Sequence, residues 1–155
     1  FFKQKTAYAI LSGLVGSEMC IRDRVDALTT FVSSHDGVNL LTAYRRAANI
    51  VAIEEKRDGV TYDEKADRSL LALDEEKAMA IALDETIVKA VGAINSEDFE
   101  GAMGALSALH KSVDIFFQDV TVNVDNAKLR INRLKLLSEI RTTMNQVADF
   151  TQIEG

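Results

Sequence analysis

The chain contains no proline and no tryptophan, a single cysteine, Cys20, and only two histidines, His35 and His110. Each shortage closes off a set of possibilities. Without proline, no residue among the 155 removes a backbone donor and interrupts a helix, so long helices are expected. Two histidines are too few for a multi-histidine metal centre. No apolar run approaches the roughly 18 residues of a membrane span. Neither GxGxxG nor the phosphate-cradling GxxxxGK[ST] occurs.

What is present is an ordinary folding composition. Hydrophobic residues make up 47% and charged residues 27% of the chain, with no disorder signature. A chain of 155 residues suffices for one domain with a proper core.

The opening segment, which holds Cys20, reads differently from the rest. Lys3 and Lys5 ahead of the apolar AYAILSGLVG have the outline of a signal peptide. Against that, the chain starts with Phe, the apolar part is broken by Ser12, Gly13 and Gly16, and no A-x-A site follows. As a helix, the stretch would carry glycines that each cost about 1 kcal/mol relative to alanine. FFKQKTAYAI followed by GLVGSEMCIRDR resembles the in-frame translation of a DNA sequencing adapter, with Leu11 and Ser12 falling in the sample index. Ala9 departs from it, since the adapter would encode Glu there. Residues 1–24 are therefore expected to be translated adapter rather than a domain, and the domain is expected at 25–155.

Setting residues 1–24 aside changes the charge. The whole chain carries −6, whereas 14 basic and 22 acidic residues remain from Val25 onward, a net −8. No cysteine remains, which excludes disulfides and cysteine metal sites and makes the reducing cytoplasm the expected compartment. A domain this acidic repels nucleic acid on average, so any RNA binding must come from a local basic patch.

The organisation from Val25 is helical. VDALTTFVSS is a short amphipathic segment. Asp36 is expected to cap GVNLLTAYRRAANIVAIEEK, which sets Leu40, Leu41, Tyr44, Ala47, Ala48 and Val51 at helical spacing. Gly59 is a C-terminal stop. VTYDEKADRSLLAL reads as a loop or a hairpin-like excursion. Asp74 is expected to cap the next helix, with Glu75 and Glu76 at its positive end. From Ser96, Phe99, Met103, Leu106 and Leu109 form one stripe, and Gly101 and Gly104 would permit a close helix approach. VDIFFQDV is expected as a separate short helix, and Asp125 as the cap of the last and longest. Short connections between such helices give an all-α bundle of about five to six helices.

Little in the sequence suggests catalysis. His35–Asp36 hints at a metal phosphohydrolase, but that chemistry needs more histidines and carboxylates, and Asp36 reads better as a helix cap. Asp74–Glu76 are adjacent helical residues that do not face one another, so they are not a catalytic pair. Neither histidine has a triad context. No catalytic residue and no metal ligand is assigned.

Two stretches are richer. AYRRAANI sets Arg45, Arg46 and Asn49 within an apolar helix, and LRINRLKLL sets Arg130, Asn132 and Arg133 near the start of the last one. At about 100° per residue, Lys128, Asn132, Lys135, Glu139 and Gln146 share a polar face. Arg130, Arg133 and Arg141 fall instead on the arc of Leu134, Leu137 and Met144. Arginines on an apolar arc need partners. One reading pairs Arg130 and Arg133 with Asp114 and Asp119 across the bundle. The other makes them a strip for phosphates, with Lys128 and Lys135 alongside. Phe116 and Phe117 are adjacent, so at most one points fully into the core, and the other either packs at a helix crossing or stacks on a base.

The run LLTAYRRAANI, then EDFEGAMGALSALHKSVDIFFQDVTVNVDNAKLRINRLKLLSEIRTTMNQVADF, resembles the C-terminal end of the β subunit of bacterial glycyl-tRNA synthetase. That region is an α-helical anticodon-binding-type domain similar to one in arginyl-tRNA synthetase. The resemblance implies an α2β2 ligase that joins glycine to its tRNA using ATP and Mg2+, with the adenylate-forming site in the α subunit. This stretch would then hold no cofactor and no catalytic site. Its partners would be glycine tRNA and the α subunit, with no membrane and no DNA. The implied RNA-binding residues are Arg45, Arg46, Asn49, Lys128, Arg130, Asn132, Arg133 and Lys135. The alternative is a helical protein–protein interaction domain whose arginines are internal. The two differ in whether Arg45, Lys128 and Lys135 form one exposed basic strip.

Overall fold

A computed structural model of the chain describes residues 18–148 and Phe150, with residues 18–21 in backbone only. Five α-helices follow one another among these residues: α1 (Glu18–Ser33), α2 (His35–Asp58), α3 (Asp74–Asn95), α4 (Phe99–Asp119) and α5 (Ala127–Asn145). No strand occurs among the described residues. The all-α bundle expected from periodicity is the fold observed. Of the segment read as adapter, residues 1–17 lie outside the described residues, while 18–24 form the first part of α1. Arg24 is buried there, its guanidinium 4.5 Å above the ring of Phe99.

A single residue, Ser34, separates α1 from α2. Its hydroxyl donates to the Phe31 carbonyl at 2.7 Å and accepts from the Gly37 amide at 3.0 Å, so it closes one helix and opens the next. Ser34, not Asp36, is therefore the cap, and Asp36 sits in the first turn. The turn is so tight that a Cβ on Gly37 would lie 1.7 Å from the Phe31 carbonyl oxygen. At the far end Gly59 adopts φ +70°, the left-handed geometry that stops a helix, as expected.

Other helix ends move by a residue or two from expectation. At α3 the N-cap position is Leu73, which has no side-chain acceptor. Glu76 does the work instead, accepting from the Leu73 and Ala72 amides at 2.7 and 2.9 Å. Asp98 caps α4 through the Gly101 amide, and Asn126 caps α5 through the Lys128 and Leu129 amides, in place of Ser96 and Asp125. The expected short helix VDIFFQDV is the last part of α4. Its Val113 and Phe116 are buried and continue the stripe of Phe99, Met103, Leu106 and Leu109, and no glycine or proline interrupts the run. Gly101 and Gly104 do not mediate a helix crossing: Gly101 lies against the capping carboxylate, and Gly104 faces open space.

The core gathers one face of each helix: Leu28 and Phe31, Leu40 and Tyr44, Met79 and Leu83, Leu106 and Phe116. Helix α5 is buried on most sides, with Leu134, Leu136, Leu137, Ile140 and Met144 fully enclosed. It packs against α2 and α3. Its polar side is covered as well, by the 60–73 segment, which is non-helical apart from a 3-10 turn at Arg68–Leu70.

Candidate nucleic-acid interface

The arginines of α5 that fall on the apolar arc are all paired internally, though not with the expected acids. Arg133 is buried and reaches α3, where its Nε meets Glu76 Oε1 at 2.7 Å and its Nη1 donates to the Thr121 carbonyl at 2.7 Å. Glu76 is fully enclosed. Burial pushes its carboxyl up, but the Arg133 guanidinium and the Leu73 and Ala72 amides outweigh that and hold it below its ordinary value. Arg130 bonds to Glu54 and, at 2.7 Å, to Asp58 at the end of α2. The Arg130 hydrogen bond, against the opposing effect of burial, holds Glu54 low. Asp58 is lowered first by the Tyr62 hydroxyl and then by Arg130. Asp114 and Asp119 are exposed and pair with neither arginine, because α4 turns their side chains outward. Arg141 bonds to the Ser138 hydroxyl at 3.2 Å and approaches Glu55 at 3.9 Å.

The helical wheel places Asn132, Lys135 and Glu139 on one face, and the 60–73 segment lies across it. Asn132 exchanges two hydrogen bonds with the Asp67 backbone, at 2.7 and 3.0 Å. Lys135 pairs with Glu64 at 3.0 Å. Arg68 grips Glu139 with both terminal nitrogens, at 2.8 and 2.9 Å, and also reaches Asp84 of α3 at 2.8 Å. The segment is a strap that ties α3 to α5. The middle of this face is a polar interface, and only its two ends, Lys128 and Gln146, stand in solvent.

The eight candidates therefore divide. Arg130, Asn132, Arg133 and Lys135 are committed to partners within the fold. Arg45, Arg46, Asn49 and Lys128 remain at the surface, with Arg45 half-buried, and the three cations among them pair with no described acid. Arg45, Lys128 and Lys135 do not form a single exposed strip, because Lys135 is half-buried against the strap. The surface cations among these candidates lie in two places, while Arg22, Lys56, Lys89 and Lys111 are exposed elsewhere and likewise pair with no described acid. One is the outer side of α2, where Arg46 stacks 4.4 Å above the ring of Phe117. The other is the first turn of α5, where Lys128 precedes the Arg130 that grips the end of α2. The Arg46–Phe117 contact escapes a sequence reading because the two residues belong to different helices. The adjacency of Phe116 and Phe117 does signal that one ring is left over: Phe116 is fully buried and Phe117 is not.

The two histidines come together around Asp36, with His110 Nε2 at 3.7 Å and His35 Nδ1 at 3.8 Å. No group of three or more His, Cys, Asp or Glu among the described residues is arranged to hold a metal ion. A groove between α1 and the start of α4 is rimmed by Asp23, Asp26, Glu97, Asp98 and Glu100 and is unsuited to phosphate. No helix among the described residues is long and apolar enough to cross a membrane.

Comparison with known families names the class of this helical bundle. Residues 40–154 match the DALR anticodon binding domain, and the chain belongs to that family. Among individual proteins, it is similar to the glycine–tRNA ligase beta subunit of Rhodospirillum centenum, 54% identical over 146 residues, covering 92% of this chain and 20% of that protein. It is also similar to the corresponding subunits of Cereibacter sphaeroides, 47% identical over 133 residues, and Ruegeria sp., 46% over 134, each covering 85% of this chain and 19% of the relative. The chain spans about a fifth of the length of these relatives.

Proposed function

We propose that the bundle is the tRNA-engaging domain of a glycine–tRNA ligase β subunit and contributes binding, not chemistry. The observation that carries this reading is the family membership over residues 40–154, joined to a surface on which Arg45, Arg46 and Lys128 are left without acid partners in an otherwise acidic chain. Internal pairing of Arg68, Arg130 and Arg133 removes part of the positive charge from solvent, and Arg45, Arg46 and Lys128 are joined as unpaired surface cations by Arg22, Lys56, Lys89 and Lys111. Within this proposal the partners are glycine tRNA and the α subunit of an α2β2 assembly in the cytoplasm. ATP and Mg2+ serve the parent enzyme elsewhere and have no site in this domain.

Titration of labelled glycine tRNA at two salt concentrations tests the reading. Each phosphate contact to single-stranded RNA contributes roughly 0.7 to the log–log salt slope. A slope of one to three contacts supports it; binding indifferent to salt, or no binding, overturns it.

A second reading, a protein-interaction domain, is favoured by the internal pairing of Arg130 and Arg133, by the lack of one exposed strip of Arg45, Lys128 and Lys135, and by the outer side of α3, which exposes Ile81 and Val88, at 59% and 72%. Glycine tRNA binding abolished by charge-reversing α2 separates the two readings.

We also propose that residues 1–24 derive from adapter sequence, on the strength of the two matching blocks. On the other side stand the packing of Arg24 on Phe99 and a relative whose 92% coverage extends into that segment. The genomic reading frame immediately upstream of Val25 decides: a continuous β-subunit frame that encodes something other than these residues supports the proposal, and a frame encoding them refutes it.

A further inference from the structure

The Arg46–Phe117 contact has a form that simple packing does not require. Phe117 rests edge-on against the enclosed Phe116, ring centroids 6.0 Å apart at 77°, so it is anchored to the core from beneath. The Arg46 guanidinium covers the outer part of Phe117 at 4.4 Å and is itself exposed. It pairs with no described acid, although Asp114 lines the same groove between α2 and α4. An exposed guanidinium whose carbon lies 4.4 Å from a ring centre, without a salt bridge, has its hydrogen-bond donors available and can present its plane to a further ring. Asn39, Asp114 and Gln118 stand around it. Gln118 has no hydrogen-bond partner among the described residues, and Asn39 uses only its amide nitrogen, towards His35.

We infer that the Arg46–Phe117 pair is a stacking platform for one unpaired nucleobase of the bound RNA, with Asp114 and Gln118 at the edge that the base presents. This rests on the tRNA-binding reading above and deepens it. Stacking on arginine and aromatic planes is how proteins hold unpaired bases. A carboxylate at the edge of such a platform repels phosphate and accepts hydrogen bonds only from donors. The position therefore favours bases whose edge carries an exocyclic amino group, namely adenine, cytosine or guanine, over uracil, which offers only its single N3–H there.

The test uses the full chain and glycine tRNA carrying 2-aminopurine at single unpaired positions of the anticodon loop, one position per sample. Fluorescence quenching at one position on binding is the expected signature. Arg46→Lys keeps the charge but loses the plane. It should weaken binding by about 5- to 150-fold, the range of one lost base stack, and abolish the quenching, with the salt slope and urea midpoint unchanged. Asp114→Asn should relax the discrimination against uracil at that position without loss of affinity for the other bases. Tight tRNA binding with no quenching at any position, or with Arg46→Lys silent, overturns the platform while leaving the tRNA-binding reading intact. Failure of the unaltered chain to bind the tRNA overturns both.

Discussion

Arg133 and Glu76 meet at 2.7 Å inside the bundle, with the carboxylate wholly shielded from solvent and the guanidinium nearly so. The pair joins the start of α3 to helix α5, and Glu76 serves at the same time as the cap of α3. Removing one partner leaves the other charged and buried, which costs about 3–5 kcal/mol. Arg133→Ala should therefore lower the urea midpoint strongly. The double change Arg133→Met with Glu76→Leu should recover much of the loss, short of the cap that Glu76 provides. A silent Arg133→Ala would show that the pair carries no weight.

Acid should unfold the domain through its depressed carboxylates. Glu54 and Asp84 are held low by Arg130 and Arg68, and Glu76 is held low against burial by Arg133 and two amides. A carboxylate with a lowered folded value stabilises the fold above its unfolded value, about 4, and that stabilisation disappears as the pH falls through the folded value. Urea midpoints should stay level from pH 7 to about 5 and then decline steadily. Glu76→Gln should lower the plateau and flatten the decline. A midpoint unchanged at about pH 3 would contradict the assignment.

The two punctuating glycines should fail differently. Gly37→Ala drives a methyl into the Phe31 carbonyl, with no flexible atom to move aside, and overpacking of this kind costs about 1–3 kcal/mol. Gly59→Ala has open space around it but a φ of +70°, so its penalty is conformational, about 1–2 kcal/mol. Thermal unfolding ranks them, and the Gly37 change should also loosen the α1–α2 elbow, seen as faster amide exchange at Gly37 and Val38.

Lys128 and Lys135 should part company. Lys128→Ala, at an exposed position, should leave stability within about 0.5 kcal/mol and reduce the salt slope of tRNA binding by about one contact's share. Lys135 is half-buried against Glu64, itself well exposed, so Lys135→Ala should cost up to about 1 kcal/mol and leave tRNA affinity unchanged. Equal losses of affinity for both lysines would mean that the strap does not shield Lys135 in solution.

The helices were legible because their apolar stripes repeat at helical spacing: Leu40, Tyr44, Ala47 and Val51 on α2, or Phe99 through Leu109 on α4, can serve only one face. The caps were less so. Ser34 and Asp36, or Asp125 and Asn126, are equally able acceptors one or two positions apart, and only the backbone path selects between them. That Arg130 and Arg133 need acids was evident from the wheel, but which acids was not. Glu54 and Glu76 stand 76 and 57 residues away, and sequence spacing has no bearing on contacts at that range. From sequence the strap reads as a loop or a hairpin-like excursion, and nothing in VTYDEKADRSLLAL marks Arg68 as the residue that binds two helices at once.

The lengths of those separations bear on how the chain emerges during synthesis. Glu76 leaves the ribosome 57 residues ahead of Arg133, a delay of about 3 to 11 seconds at ordinary elongation rates. Throughout that interval the helices already made hold an acid destined for the interior with no Arg133 to meet it, so they cannot close over it without a large penalty. Helix α5 thus acts as a keystone set last, supplying a buried apolar face and the missing charges together. A nascent chain stalled before residue 130 would remain open and available to chaperones and proteases, whereas one extended past Arg133 would close as a unit.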